Sequence, residues 1–193
     1  MNKIILFVIV FLIIGIFILD KISFFSEIKE TNVYKDAYDL GNKYLSVCKK
    51  SNYFNLQYPA VMFDIDDTLI DYSGKPIKNI IKLLNKCISQ ELIVIIITAR
   101  IDAYREETIQ QLAANGIKYG ALFLRSGNDD INTFKSNIKK KLAEQNDITT
   151  IMSIGDNIID IDGEYSGYWI KLPNHSDRRL YHLNANGESE QIV

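Results

Sequence analysis

Two closely spaced carboxylates follow a short apolar run in the first half of the sequence. The run from Ala60 to Phe63 predicts a short strand, and Asp64 and Asp66 come directly after it. In an extended segment these two side chains point to the same side. Neighbouring carboxylates repel each other, and a cation such as Mg²⁺, which prefers oxygen ligands, removes that repulsion. The pair therefore predicts a divalent-cation site at the end of the first strand.

Further polar residues follow the later predicted strands. Thr98 ends the second strand, and Asp156 and Asp160 follow the fourth. Lys135 lies in the first turn of a predicted helix, where a positive charge gains nothing from the helix dipole. Its position therefore suggests a role outside its own helix.

The apolar pattern predicts how these residues are positioned. Short β-branched or apolar runs alternate with segments whose apolar residues recur at helical spacing. Such alternation predicts right-handed crossovers and a doubly wound α/β domain with a mostly parallel sheet, in which ligands bind beyond the carboxyl ends of the strands. The predicted strands are 60–63, 92–97, 121–124, 149–154 and 166–172, and the predicted helices include 27–50, 77–88, 102–113 and 133–142. Asp102 and Thr133 are the predicted N-caps of the last two helices.

Taken in order, these residues resemble the four motifs of the haloacid dehalogenase (HAD) superfamily. The resemblance is carried by Asp64-Ile65-Asp66-Asp67-Thr68, Thr98, Lys135, and Gly155-Asp156-Asn157 with Asp160, and it extends from about residue 60 to residue 173. The segments Phe123-Leu124-Arg125-Ser126 and Phe134-Lys135-Ser136 are similar to the acid phosphatase branch, subfamily IIIB. That branch includes plant acid phosphatases, vegetative storage proteins and bacterial class B enzymes.

The resemblance implies an Mg²⁺-dependent phosphomonoester hydrolase with a role for each motif residue. Asp64 would accept the phosphoryl group as an aspartyl-phosphate, and Asp66 would be the general acid and base. Asp64, the backbone carbonyl of Asp66, and Asp156 would hold the metal ion, and Asp160 would be a further ligand or a support behind the ligands. The implied phosphate-binding residues are Thr98, Ala99, Arg100 and Lys135. Lys139 is the second candidate for the family lysine; otherwise Lys139, Lys140 and Lys141 are expected on a solvated helix face.

The spacing of the motifs leaves no room for a large cap domain. Thr68 to Thr98 and Thr98 to Lys135 each hold little more than one helix and its connections. We therefore expect an open, capless or minimally capped site and a broad or bulky phosphomonoester substrate. The alternative is a catalytically silent storage or binding protein, against which the intact Asp64 argues. A receiver domain is disfavoured because Lys135 precedes the final acidic pair.

Length and charge limit the other possibilities. The 193 residues fit one domain, predicted at 60–183, with a tail at 184–193. With 22 Lys and Arg against 24 Asp and Glu, the net charge is −2, so the composition gives no signal for nucleic-acid binding. Cys48 and Cys87 fit no metal-binding spacing, and the sequence leaves open whether they pair.

The N-terminal segment is uniformly apolar from Ile4 to Leu19. We predict that residues 1–22 form a membrane anchor or signal segment, followed by a helical linker or cover at 23–59. No small-x-small cleavage pattern follows the run, which favours an uncleaved anchor. The charge of Lys3 then places the C-terminal domain on the extracytoplasmic or lumenal side, and cleavage would instead give a secreted protein.

Overall fold

A seven-stranded, mostly parallel sheet forms the centre of the domain. The structure is a computed structural model that describes residues 33–52, 56–184 and 186–192. The strand order is β3-β2-β1-β4-β5-β6-β7, with parallel pairing from β3 to β5 and antiparallel pairing for β6 and β7. The strands are β1 (Tyr58–Phe63), β2 (Ile93–Ile101), β3 (Ala121–Arg125), β4 (Ile148–Gly155), β5 (Tyr168–Lys171), β6 (Tyr181–Leu183) and β7 (Ser189–Gln191). The predicted α/β fold class is confirmed.

Helices connect the parallel strands and cover the sheet. They are α1 (33–50), α2 (Lys78–Ser89), α3 (Arg105–Ala114), α4 (Phe134–Asn146) and the short α5 (Ile158–Ile161). The prediction that Asp102 caps α3 is wrong. Asp102 begins a 3-10 turn, Asp102–Tyr104, and its carboxylate accepts a hydrogen bond from Arg105 Nε at 2.8 Å. Thr133 does precede α4, although its side chain makes no capping hydrogen bond.

The core lies on both faces of the central strands. On one face, Met62 and Ile95 pack with Phe134 and Leu142 of α4. Leu83 on α2 also lies close to α1, because a Cβ at Gly41 would come 2.5 Å from Leu83 Cδ2. Burial on both faces explains why β1 and β2 are continuously apolar instead of alternating.

The register of the central strands places the motif residues at one edge. Phe63 pairs with Ile96 on β2 and with Ile154 on β4, so the residues that follow β1 and β4 are neighbours. The backbone N–H of Asp64 continues this pairing with a 3.0 Å hydrogen bond to the carbonyl of Ile154. The carboxyl edge of the sheet therefore brings Asp64 close to Gly155.

The chain beyond β5 folds back onto the sheet. The strands β6 and β7 form a hairpin at its edge, and β7 falls within the segment predicted as a tail. The described part of the predicted tail is thus attached to the fold. Tyr168 on β5 stacks on Tyr44 of α1 with ring centroids 4.1 Å apart, and its hydroxyl lies 3.1 Å from Nδ1 of His182 on β6.

The predicted membrane segment, residues 1–22, lies outside the described residues, as does the first part of the predicted 23–59 linker. Within the part of the chain that the structure describes, no helix is both long and apolar enough to span a bilayer. The described remainder of the linker contributes α1, at residues 33–50, and the start of β1.

Candidate active site

Three acidic side chains from two separate segments meet at the carboxyl edge of the sheet. Asp64 follows β1, Asp156 follows β4, and Asp160 lies on α5. One carboxylate oxygen from each lies within 4.8 Å of the others. The structure therefore brings together all three predicted carboxylate ligands.

Lys135 inserts its ammonium group into this acidic cluster. Its Nζ lies 2.5 Å from Oδ1 of Asp64 and 2.6 Å from Oδ1 of Asp160, and its side chain is 1% exposed. Phe134, packed in the core, fixes the first turn of α4 and with it the base of the lysine. This contact supplies the role outside its helix that the position of Lys135 suggested.

The ionisation of the cluster reflects its burial and its excess of negative charge. Burial and repulsion from Asp160 raise the pKa of Asp64 well above its ordinary value, although Lys135 acts in the opposite direction. Burial, with Asp160 next to it, also raises the pKa of Asp156, to about 6. Burial alone would lower the pKa of Lys135, but Asp64 and Asp160 raise it. The ammonium of Lys135 thus pairs with two of the three carboxylates, those of Asp64 and Asp160.

This donor set fits a divalent cation. Three carboxylates offer the hard oxygen ligands that Mg²⁺ or Ca²⁺ prefers, and after pairing with Lys135 they retain an excess of negative charge when ionised. Buried charge of one sign is costly unless it is neutralised. The cluster could therefore bind a divalent metal ion.

Asp160 is fixed by its own segment as well as by Lys135. Its Oδ2 accepts a 2.9 Å hydrogen bond from the backbone N–H of Asn157, which closes the first turn of α5. A Cβ placed on Gly155 would come 2.2 Å from the Cβ of Asp160. Glycine at position 155 is therefore required for the close approach of α5 to the end of β4.

Lys139 is buried, which contradicts the prediction of a solvated helix face at this position. Its ammonium group donates hydrogen bonds to the carbonyls of Asp160 at 3.1 Å and Asp162 at 2.9 Å, and to the hydroxyl of Ser166. Burial lowers its pKa to about 8. Lys135 and Lys139 lie four residues apart, and this spacing could have indicated that both share the inner face of α4. Of the two, Lys135 contacts Asp64.

Asp66 is more exposed than Asp64 and pairs with Arg100. The Arg100 guanidinium donates to Asp66 through Nε at 2.9 Å and Nη2 at 2.6 Å, and the Asp66 side chain is 60% exposed. Nη1 of Arg100 donates to Oε1 of Gln111 on α3 at 2.7 Å. Gln111 was not identified from the sequence, which contains no local signal for this contact. The predicted phosphate contact of Arg100 stays a prediction.

Thr98 and Ala99 lie where β2 passes this edge. Thr98 is fully buried, and its Oγ1 accepts the backbone N–H of Arg100 at 3.2 Å. The predicted phosphate contact of Thr98 stays a prediction. The carbonyl of Ala99 accepts a 3.4 Å hydrogen bond from Nε of Arg125.

The loops around this edge are short and held by their own carboxylates. Oδ1 of Asp71 accepts the backbone N–H groups of Ser73 and Lys75, which closes the turn after β1. In the loop after β3, Oδ2 of Asp129 accepts the N–H of Ser126. Such turns shape the mouth of the site locally.

The family model described as HAD superfamily, subfamily IIIB (acid phosphatase), matches residues 72–177, more than half of the chain. The chain belongs to this family. The matched segment contains Thr98, Lys135, Asp156 and Asp160 and begins after Asp64 and Asp66. The HAD resemblance and its acid phosphatase branch are thereby confirmed.

Solved structures share the fold at low sequence identity. The class C acid phosphatase from Bacillus anthracis is 16% identical, with a TM-score of 0.58, over 70% of this chain and 66% of that chain. The same enzyme with tungstate bound is 19% identical, with the same TM-score and coverage. A Pnkp1/Rnl/Hen1 complex is 24% identical, with a TM-score of 0.51, over 60% of this chain and 46% of that chain.

The matched part of the chain thus spans just under two thirds of the class C enzyme and less than half of the chain in that complex. No curated protein matches the sequence. The structural likenesses support the HAD-like fold.

Proposed function

We propose that this protein is an Mg²⁺-dependent phosphomonoester hydrolase that transfers the phosphoryl group to Asp64. The observation that carries the proposal is the convergence of Asp64, Asp156 and Asp160 around the ammonium of Lys135. A carboxylate nucleophile, a cation site and a phosphate-binding cation are what an aspartyl-phosphate mechanism requires.

The reaction proceeds in two displacements. A carboxylate oxygen of Asp64 attacks phosphorus, the bond from phosphorus to the ester oxygen breaks, and Asp66 donates a proton to the departing oxygen. Water then attacks the phosphorus of the aspartyl-phosphate while Asp66 takes its proton, and inorganic phosphate and the free Asp64 carboxylate are released. The exposure of Asp66 allows it to exchange its proton with solvent and leaving group.

Charge stabilisation comes from fixed groups around the phosphoryl oxygens. The ammonium of Lys135 and the hydroxyl of Thr98 stabilise the negative charge on these oxygens as the transition state forms. Bound Mg²⁺ would reduce the repulsion between the nucleophile and the phosphate. Asp64, the backbone carbonyl of Asp66, and Asp156 would hold it. Asp160 would be a further ligand or a support for this site, held by the backbone N–H of Asn157 at Oδ2 and by Lys135 at Oδ1.

The open surroundings of the site favour a broad or bulky phosphomonoester. The turn after β1 and the loop after β3 are short and closed by Asp71 and Asp129, so neither encloses a small substrate. Water exclusion is then partial, and selectivity depends on the walls next to Asp66.

We also propose that residues 1–22 anchor the domain to a membrane, with the domain on the extracytoplasmic or lumenal side. The uninterrupted apolar run from Ile4 to Leu19 supports this location. The full chain should then stay with membranes in alkaline carbonate, and its domain should be digested by protease added to the extracytoplasmic side. Release by carbonate would contradict the anchor.

Phosphate release from p-nitrophenyl phosphate by the full chain tests the activity. We expect Mg²⁺-dependent turnover that is abolished by EDTA and restored by added Mg²⁺. Asp64→Asn should lower turnover by at least about a thousandfold, because it removes the nucleophile. The matched control is Asp147→Asn, since Asp147 is exposed in a left-handed conformation that asparagine also adopts.

Equal turnover of Asp64→Asn and wild type would show that Asp64 is not the nucleophile. Absence of Mg²⁺-dependent turnover in the wild type would instead favour the silent storage or binding protein.

A further inference from the structure

A cavity of about 620 Å³ opens beside the candidate active site, between β2, the 3-10 turn, α3 and the end of β3. Its wall includes Arg100, whose guanidinium also binds Asp66. A cavity of this size holds a small organic group, whereas a phosphate ion needs much less space. One side chain therefore links the cavity to the proposed proton donor.

The location of the cavity suits the leaving group of the substrate. In the proposed reaction Asp66 gives its proton to the ester oxygen of the leaving group, so the leaving group begins next to Asp66. The cavity is one side chain away, and Arg100 contacts both places. A leaving group that extends past Arg100 enters this cavity.

The charges in the wall are unequal. The charge of Arg100 is neutralised by Asp66, but Arg125 donates only to the carbonyl oxygens of Asp129 at 3.0 Å and Ala99 at 3.4 Å. Among the residues that the structure describes, no carboxylate forms an ion pair with Arg125. Glu107 is the acidic residue of the wall. Arg125 is thus positioned to attract an anion.

The remaining wall combines apolar side chains with Thr108 and Gln111. Ile101 is 37% exposed and Tyr104 is 59% exposed, both lining the cavity. Thr108, which also lines it, is buried, and its hydroxyl has no hydrogen-bond partner in the described part of the chain. Exposed apolar side chains at a cavity wall are typical of a ligand site, and a tyrosine ring offers a stacking surface.

We propose that this cavity is a leaving-group subsite for phosphomonoesters whose leaving group is a flat ring carrying an anion. Arg125 pairs with the anion and Tyr104 packs against the ring. The subsite rests on the proposed function, because it assumes that Asp66 protonates the leaving oxygen.

Two isosteric substrates isolate the charge. The full chain is assayed with 3-carboxyphenyl phosphate and 3-carbamoylphenyl phosphate, and the ratio of their kcat/KM values cancels any loss common to both. We expect the wild type to prefer the carboxylate about fivefold, the upper range for a partly exposed ion pair. Arg125→Gln should lower the ratio to about one, and Arg125→Lys should retain part of it.

Two further variants separate charge from folding. Glu107→Gln should raise the ratio about twofold, because it removes the opposing charge of the wall. Arg105→Gln is the matched control, since Arg105 pairs with Asp102 and does not line the cavity, and its ratio should equal that of the wild type. A wild-type ratio of one, or equal ratios in wild type and Arg125→Gln, overturns the subsite.

Binding of the leaving group itself separates the subsite from the activity. In an NMR titration, 3-hydroxybenzoate should bind the wild type about fivefold more tightly than it binds Arg125→Gln, whereas 3-hydroxybenzamide should not distinguish them. Loss of this difference overturns the subsite even where both esters are hydrolysed. Absent turnover with an intact binding difference overturns the proposed function and, with it, the leaving-group role of the cavity.

Discussion

Arg100 and Asp66 are joined by two hydrogen bonds, from Nε to Oδ2 at 2.9 Å and from Nη2 to Oδ1 at 2.6 Å. Arg100 lies near the end of β2 and Asp66 follows β1, and Gln111 on α3 holds the same guanidinium from a third element. Because a bidentate contact fixes the plane of a carboxylate, Arg100 orients the proposed general acid and base, Asp66.

Arg100→Ala should lower kcat about tenfold to a hundredfold with little change in the free energy of unfolding. The orientation of Asp66 is lost, but an ion pair this exposed contributes at most about 1 kcal/mol to stability. In the Asp66→Asn background the same substitution should cost nothing further, because the group that Arg100 positions is already gone. Steady-state kinetics of the two single variants and the double variant measure this coupling.

The control for this cycle is Arg105→Ala, whose guanidinium pairs with Asp102 away from Asp66. Additive losses for Arg100→Ala and Asp66→Asn would show that Arg100 acts on the substrate and not through Asp66.

Lys135→Met should mainly lose turnover and Lys139→Met should mainly lose stability, although both residues are buried on α4. Loss of Lys135 removes the charge beside Asp64, and we expect turnover to fall at least about a hundredfold. Loss of Lys139 leaves the carbonyls of Asp160 and Asp162 without their donor, which should cost about 1–3 kcal/mol of stability. Turnover per folded molecule and urea unfolding distinguish the two. A larger loss of turnover in Lys139→Met would reassign the family lysine.

Gly155→Ala should damage the metal site through packing. The added Cβ would meet the Cβ of Asp160 at 2.2 Å, and a contact that short forces α5 away from β4. We expect a loss of about 1–3 kcal/mol in the free energy of unfolding and weaker activation by Mg²⁺. Gly127→Ala is the control, because a Cβ there meets nothing within 4 Å. Equal thermal stability of the two variants would contradict the close packing.

Cys87 should make the domain less stable as the solution becomes alkaline. Burial raises the pKa of its thiol to about 12 from a reference value of 9.0. The folded protein therefore keeps the proton that the unfolded chain loses between about pH 9 and pH 12. Stability linked to Cys87 is complete below pH 9 and falls by about 1.4 kcal/mol per pH unit within that window.

Urea unfolding of wild type and Cys87→Ala at pH 8 and pH 10 measures this contribution. The stability difference between the two proteins should shrink at pH 10 by about 1 kcal/mol. A difference that does not change with pH would mean that the thiol titrates normally in the folded protein.

The central sheet could be predicted because each of its buried strands leaves a signal in a short stretch of sequence. Burial on both faces requires continuous apolar runs, and these runs identified β1, β2 and β4 together with the polar residues that follow them. The hairpin of β6 and β7 was missed because each strand has three residues, too few to establish an alternating pattern. Asp102 was misassigned as a cap because a carboxylate near a helix start can also bind a nearby arginine, here Arg105.

The candidate site could be predicted only in part. Residues next to regular elements were identified, whereas residues brought in by tertiary packing were not. The order of the motifs identified Asp64, Lys135 and Asp156, since each follows or begins a regular element. Lys139 is buried because the backbone carbonyls of a distant segment converge on it, and Gln111 reaches Arg100 across the fold. Contacts of this kind depend on tertiary packing, which no local pattern encodes.

The most direct test of the account is the detection of the phosphoryl group on Asp64. The full chain is mixed with substrate and Mg²⁺, quenched in acid within milliseconds and digested, and the peptide containing Asp64 is examined by mass spectrometry. We predict a phosphoryl adduct on Asp64 that hydroxylamine removes, and no adduct in Asp64→Asn. A wild type that turns over substrate without a hydroxylamine-sensitive adduct on Asp64, or with the adduct on another residue, would contradict the proposed mechanism.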